Sequence, residues 1–180
     1  MTRAAPRPRM HLGPTITTDR LALRPPREAD FEALCAFARS EERTRFLGGP
    51  SDANAQWRLL LADIGHWALR GYGFFSIERM GSGEFVGRAG VIFHHHNDEP
   101  ELAWHLFEGF EGHGYASEAA AAARDWYYAQ TGNGPLMSWI NVGNVASQAV
   151  ARRLGATFER AHTTGGGHEG QIWRHAKAIG

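Results

Sequence analysis

Lysine and cysteine are nearly missing from this chain. Of 19 basic residues only Lys177 is a lysine, and they balance 19 acidic ones to a formal charge of zero. That excludes charge-driven wrapping of nucleic acid or adhesion to an anionic membrane. The one cysteine, Cys35, rules out an internal disulfide and fits a reducing, cytoplasmic setting. It lies in the apolar helical stretch Phe31 to Phe37 and reads as a core thiol, not a nucleophile. No apolar run reaches the roughly eighteen residues of a membrane span. Met1 to Pro14 carries arginines and prolines without an apolar centre, so it is neither signal peptide nor anchor; residues 1–15 are expected to be a loose segment. No Gly-Lys-Ser or Gly-Lys-Thr occurs, which excludes a Walker A loop. A dinucleotide fingerprint also fails: Gly112-x-Gly114-x-x-Ser117 lacks the third glycine, and no acidic residue falls between Asp125 and Glu159 to hold a ribose.

What is present centres on Glu101 to Gly132. Glu101, Ala103 and His105 alternate with Leu102, Trp104 and Leu106, the period of a strand. Gly109, Gly112 and Gly114 punctuate the next residues, and an alanine-rich run, Ser117 to Gln130, reads as a helix closed by Gly132. The first turn of such a helix carries N–H groups without intrahelical partners and the positive end of the macrodipole. Glycines ahead of it allow close approach, so the corner is an anion site whose usual occupant is phosphate.

The rest of the chain reads as one domain over residues 16–180. Ile16 to Arg24 alternates as a first strand, and Asp30 is placed to cap a helix running to about Ser40. A second helix spans Asp52 to Leu69; Tyr72 to Arg79 and Glu84 to His94 form a hairpin. Leu136 to Ile140 is a strand, Val145 to Leu154 a helix, and Ala156 to Ala161 and Gln171 to His175 the last strands, joined across a glycine-rich segment expected to be mobile. His94-His95-His96 reads as a solvated hairpin tip, because adjacent strand residues face opposite ways and cannot chelate as one set.

Three motifs carry a resemblance. Glu111-x-x-Gly114-x-Ala116 resembles the Gln/Arg-x-x-Gly-x-Gly/Ala loop of the GNAT superfamily of acetyl-CoA-dependent N-acetyltransferases. Trp139 to Ser147 followed by Arg152-Arg153-Leu154-Gly155-Ala156 resembles that family's strand, Asn-x-x-Ser and Leu-Gly-Phe helix end. Thr18 to Pro25 with Glu28-Ala29-Asp30 resembles the opening of the branch that includes the ribosomal-protein N-terminal alanine and serine acetyltransferases. Together they cover about residues 16–175. The resemblance implies an α/β (α+β) GNAT-like fold, with a mostly antiparallel sheet of about six or seven strands and about four helices. Glu111 departs from the usual Gln or Arg, and its side chain is expected to turn away from the phosphates. Ala156 replaces the usual Phe, and Ala151 stands where many relatives carry a tyrosine proton donor.

By that resemblance the cosubstrate is acetyl-CoA, with no metal, and the acceptor is an amine, a peptide N-terminus or a small molecule. Leu106, Glu111, Gly112, His113, Gly114, Tyr115, Ala116, Ser117, Asn144 and Ser147 are its candidate contacts. Glu101 matches the glutamate of the branch pattern Glu-Leu-Gly-Tyr-Trp-Leu and is the candidate base, through water. His105, on the same strand face, is the rival base. A backbone N–H near Leu106 is the expected oxyanion donor, and Ser147 the hydroxyl left to protonate the thiolate, or to cap a helix. The competing reading is an acyl-CoA-binding module with little turnover. Nothing points to nucleic acid or membrane, and a homodimer stays open.

Overall fold

The computed structural model describes residues 12–95 and 97–176; most of the segment expected to be loose, and His96, lie outside them. β1 (Ile16–Thr17) and β2 (Leu21–Arg24) lead through a short 3-10 turn to α1 (Phe31–Arg39), α2 (Glu41–Thr44) and α3 (Ala53–Arg70). Then follow β3 (Phe74–Arg79), β4 (Phe85–Ile92), β5 (Glu101–Leu106), α4 (Tyr115–Thr131), β6 (Leu136–Asn141), α5 (Val145–Arg153), β7 (Thr157–Thr163) and β8 (Glu169–His175). All eight strands form one sheet in the order β1-β2-β3-β4-β5-β6-β8-β7. Among the described residues only β5 and β6 run parallel.

Three local readings are corrected. The first strand, expected to run unbroken from Ile16, is a tight hairpin. The Thr18 amide donates to the Leu21 carbonyl at 2.9 Å and the Thr18 hydroxyl accepts from the Leu21 amide at 3.0 Å, so Asp19 and Arg20 become its turn. This raises the strand count to eight. Ser40, read as the end of α1, also caps a fifth helix: its hydroxyl accepts from the Arg43 amide at 3.4 Å. Asp30 precedes α1, but its side chain makes no cap to it. The carboxylate is buried and instead takes both Arg24 guanidinium nitrogens, at 2.6 and 2.9 Å, and the Ser76 hydroxyl at 2.7 Å.

Strand alternation gives the sheet two unlike faces. Leu21, Leu23, Phe75, Ile77, Ala89, Val91 and Leu102 pack with Ala119, Ala120, Ala123 and Tyr127 of α4 in the main core. Alanines at the contact let α4 lie close to the sheet, and tyrosine at its far end fills the widening space. Leu12 joins this core, and a Cβ on Gly13 would sit 2.4 Å from the Trp67 ring. The opposite face carries Ser76, Arg88 and His105, with Asp30 and Asp63 brought to it from outside the sheet. Leu34, Leu60 and Phe107 form an apolar cluster beside it. A third cluster joins α5 to the distal strands through Ile140, Ala151, Ala156 and Trp173.

Candidate active site

The helix that organises the site starts two residues earlier than its alanine run suggests. Gly114 is its N-cap, at φ 80°, with Gly112 at φ 78° before it. Both conformations are left-handed and strain a residue with a Cβ. The first helical bond runs from the Glu118 amide to the Gly114 carbonyl at 3.1 Å. The amides of Tyr115, Ala116 and Ser117 therefore precede any intrahelical acceptor, and no side chain caps them. The Ser117 hydroxyl is buried without a hydrogen-bond partner among the described residues. Open amides at the start of a glycine-capped helix are what an oxygen-rich anionic ligand would satisfy.

The loop is braced from below. Arg20 donates to the His113 carbonyl at 2.9 Å, pairs with Glu118 at 2.6 Å and lies over the Tyr115 ring. Glu118 also accepts from the Thr18 hydroxyl. The early hairpin thus holds the loop in place, and Arg20 spends its charge on Glu118 instead of the cleft.

β5 and β6 pair at one position, Glu101 opposite Met137, and then diverge. Hydrogen bonding on β4 shows which β5 peptide groups face the opening. The Phe107 amide bonds to the Val86 carbonyl at 2.9 Å, with Gly87 opposite Leu106. By antiparallel alternation the peptide groups of Trp104 and Leu106 point the other way, into the gap. The Leu102 carbonyl on that side is closed by the Ser138 hydroxyl, which also meets His175 Nε2 at 2.9 Å.

Two clefts lie on either side of the segment Arg45, Phe46 and Leu47, which lines both. The first, about 400 Å³, lies between α4, α5 and β5. Of the expected cosubstrate contacts it brings together Leu106, Glu111, Gly112, Gly114, Ala116, Asn144 and Ser147, with His105 at its floor. His113, Tyr115 and Ser117 do not line it: the His113 and Tyr115 rings lie tilted to each other, 5.6 Å apart, and the Ser117 hydroxyl is buried. The second, about 810 Å³, holds Glu101 with Trp139, Asn97, His162 and the Gly165–Gly166 turn. His94 lines it too, and among the described residues no group of three or more metal-ligating side chains assembles there or elsewhere.

Glu101 lines the second cleft, at the one position where β5 and β6 pair. Its carboxylate accepts from the Trp139 amide at 3.4 Å, reaching across the gap to β6. Burial pushes its pKa up to about 7, against the pull of the Trp139 amide and the Asn97 side chain. A carboxylate poised there can exchange a proton near neutral pH. His105 differs. Arg88 Nε donates to its Nε2 at 2.8 Å, and Arg88 is in turn paired with buried Asp63. Burial, then Arg88, hold its pKa well below the usual imidazole range.

On α5 the Asn144 side-chain oxygen accepts from the Ser147 amide at 3.1 Å. Asn144 is therefore the helix cap, and the Ser147 hydroxyl is left to the cleft. Ala151 is fully buried against Ile140 and Trp173 and offers no proton donor. Glu111 lines the cleft wall. Its carboxylate pairs with Arg43 and accepts from the Gly109 amide at 3.1 Å. Arg43, Asp63 and Arg88 escape a linear reading, because each lies seventeen or more residues from its partners; only Arg88, inside an apolar hairpin strand, signals a buried charge awaiting one.

Residues 20–157 match the acetyltransferase (GNAT) domain family. A solved acetyltransferase from Agrobacterium tumefaciens str. C58 superposes with a TM-score of 0.84 at 34% identity, over 98% of this chain and 100% of that one. The curated protein YkkB of Bacillus subtilis (strain 168) is 30% identical over 95 residues, 51% of this chain; the match spans about half of that protein, 55%. The ribosomal L7/L12 alpha-N-protein acetyltransferase RimL, solved in complex with coenzyme A, shares the fold at a TM-score of 0.73 and 21% identity, over 89% of this chain and 97% of that one. A glycine-capped helix beside a parted sheet, and a family match across most of the chain, agree: this protein belongs to the GNAT acetyltransferase family.

Proposed function

We propose that the protein transfers an acetyl group from acetyl-CoA to a primary amine by direct attack within a ternary complex. The observation that carries this reading is the parting of β5 from β6, with unpaired helix amides at one end of the opening and Glu101 at the other. The first cleft fits an anionic, elongated ligand: Gly114 and Ala116, at the open start of α4, line it and suit phosphate chemistry. The Trp104 and Leu106 peptide groups offer amide partners along the gap. Acetyl-CoA supplies the activated thioester.

The residues then divide the work. Glu101 attracts the incoming ammonium and takes its proton, directly or through one water. The Leu106 amide donates to the carbonyl oxygen as negative charge develops there. The Ser147 hydroxyl is the donor available to the departing sulfur. The acceptor enters by the second cleft, where Trp139, Asp98 and Glu101 suit a cationic amine. RimL, whose substrate is a protein α-amine, supports a peptide N-terminus as one acceptor class, with small amines the other.

The test is thiol release from acetyl-CoA across peptides, polyamines and amino sugars. Release with any acceptor supports transfer. The buried Ala151, which leaves no tyrosine donor, favours a second reading, an acyl-CoA-binding module. Tight acetyl-CoA binding with no release for any acceptor selects the module.

A further inference from the structure

The chain Asp63–Arg88–His105 has no part in the reading above, which it presupposes. It starts on α3, where Asp63 is 7% exposed, crosses β4 through Arg88, 5% exposed, and ends at the floor of the first cleft. A guanidinium has five N–H donors and no acceptor. Arg88 Nε, 2.8 Å from His105 Nε2, can only donate to it. Nε2 must then present its lone pair, and in a neutral imidazole the proton sits on Nδ1.

The ring is also held in orientation. Phe37 stacks on it at 5.1 Å and 21°, Phe74 meets it edge-on at 5.5 Å, and Arg88 lies over Phe74 at 4.7 Å. Asp63 fixes the far side of the guanidinium, so Arg88 has little freedom to turn away. Burial and the neighbouring guanidinium both oppose a second proton on the ring. His105 lines the first cleft, and its Nδ1 is not among the sealed, unpartnered polar atoms of the described residues. Its N–H is available to the cleft that His105 lines with Leu106.

We infer that His105 is a fixed Nδ1–H donor, positioned by Arg88 and Asp63, that hydrogen-bonds the thioester carbonyl oxygen of the acyl group beside the Leu106 amide. It is thus an oxyanion donor and not the rival base the strand pattern suggests. Its only lone pair is spent on Arg88, so it has nothing with which to take a proton from an amine.

Nitrogen NMR of ring-labelled histidine in the resting protein tests the tautomer without any ligand or turnover. A protonated Nδ1 and bare Nε2 on His105 are expected from pH 6 to 8; an Nε2–H tautomer, or a titration in that range, overturns the inference. The ligand is tested by calorimetry with acetyl-CoA and with CoA, which lacks the carbonyl. His105→Asn keeps an amide near Nδ1, whereas His105→Gln places it near Nε2. The Gln variant should weaken acetyl-CoA about three- to tenfold while leaving CoA unchanged. The Asn variant should retain most of the preference. Equal losses for both ligands, or Asn no better than Gln, refute the carbonyl contact. If transfer is detected, His105→Gln should slow it about 100-fold with the pH profile unmoved; loss of the limb on which the rate rises with pH would restore His105 as base. A protein that never releases thiol would sink the transfer reading while leaving the NMR and calorimetric results to decide this one.

Discussion

Replacing Glu101 by Gln gives a stability signature that depends on pH and needs no substrate. In the folded chain burial moves the carboxyl from its ordinary 4.5 to about 7. The folded state therefore holds the proton more tightly than the unfolded chain does. Stability from the protonated form is complete below about 4.5 and is lost as pH rises through 7. At 1.36 kcal/mol per tenfold change, ionising this group in place costs about 3 kcal/mol at pH 8. Gln keeps the shape and stays neutral throughout, and every other titrating group is common to the two proteins. The melting temperatures should thus coincide near pH 4 and separate by about 6–12 °C at pH 8, with the variant higher, for a chain of this size. Paired thermal denaturation at half-unit pH steps reads this directly. An offset that stays constant from pH 4 to 8 refutes the buried-carboxyl argument, whatever the activity. With an acceptor in hand, the rate should rise through pH 7 in the parent protein and lose that limb in Glu101→Gln.

Three further outcomes follow from the geometry. Gly114→Asn and Gly114→Asp both tolerate the left-handed φ of 80° better than other side chains, so comparing them isolates charge. Asp should weaken CoA at least about tenfold more than Asn by calorimetry, and equal affinities would remove the helix N-terminus from phosphate binding. Arg43→Ala leaves the Glu111 carboxylate uncompensated in the cleft wall and should weaken CoA about fivefold; adding Glu111→Gln should recover most of the loss, a coupling read from a double-mutant cycle. Asn144→Ala removes the side-chain cap on α5 and should lower stability by about 1 kcal/mol, measured by urea unfolding, with no change in slope.

How far the sequence could be read depended on the range of the interactions. The strand, glycine loop and helix from Glu101 to Gly132 were legible because each signal is local: a period of two, glycines needing positive φ, alanines favouring helix. Asn144 and Ser147 both line the first cleft, and which of them caps α5 was settled only by the hydrogen bond between them. The missing hairpin at Thr18 and the extra helix at Ser40 were hidden because one residue serves two elements, and periodicity credits it to only one. Asp63, Arg88 and Arg43 were illegible for another reason. A charge inside an apolar pattern announces that it needs a partner, but pairing across α3, β4 and the α4 loop is decided by tertiary packing. The reading of His105 as the rival base could not take account of Arg88, because the guanidinium that donates to its ring lies seventeen positions away.

The single backbone pairing of Glu101 with Met137 makes the molecule two half-sheets that share a hinge of side chains: the Ser138 hydroxyl, the Glu101 carboxylate and the alanine helix behind them. Whatever slides between them completes a ladder that the polypeptide leaves unfinished. The cosubstrate on this view is a surrogate strand as much as a donor. Its arrival would stiffen the acceptor half against the nucleotide half, so that order of binding and order of folding become the same question.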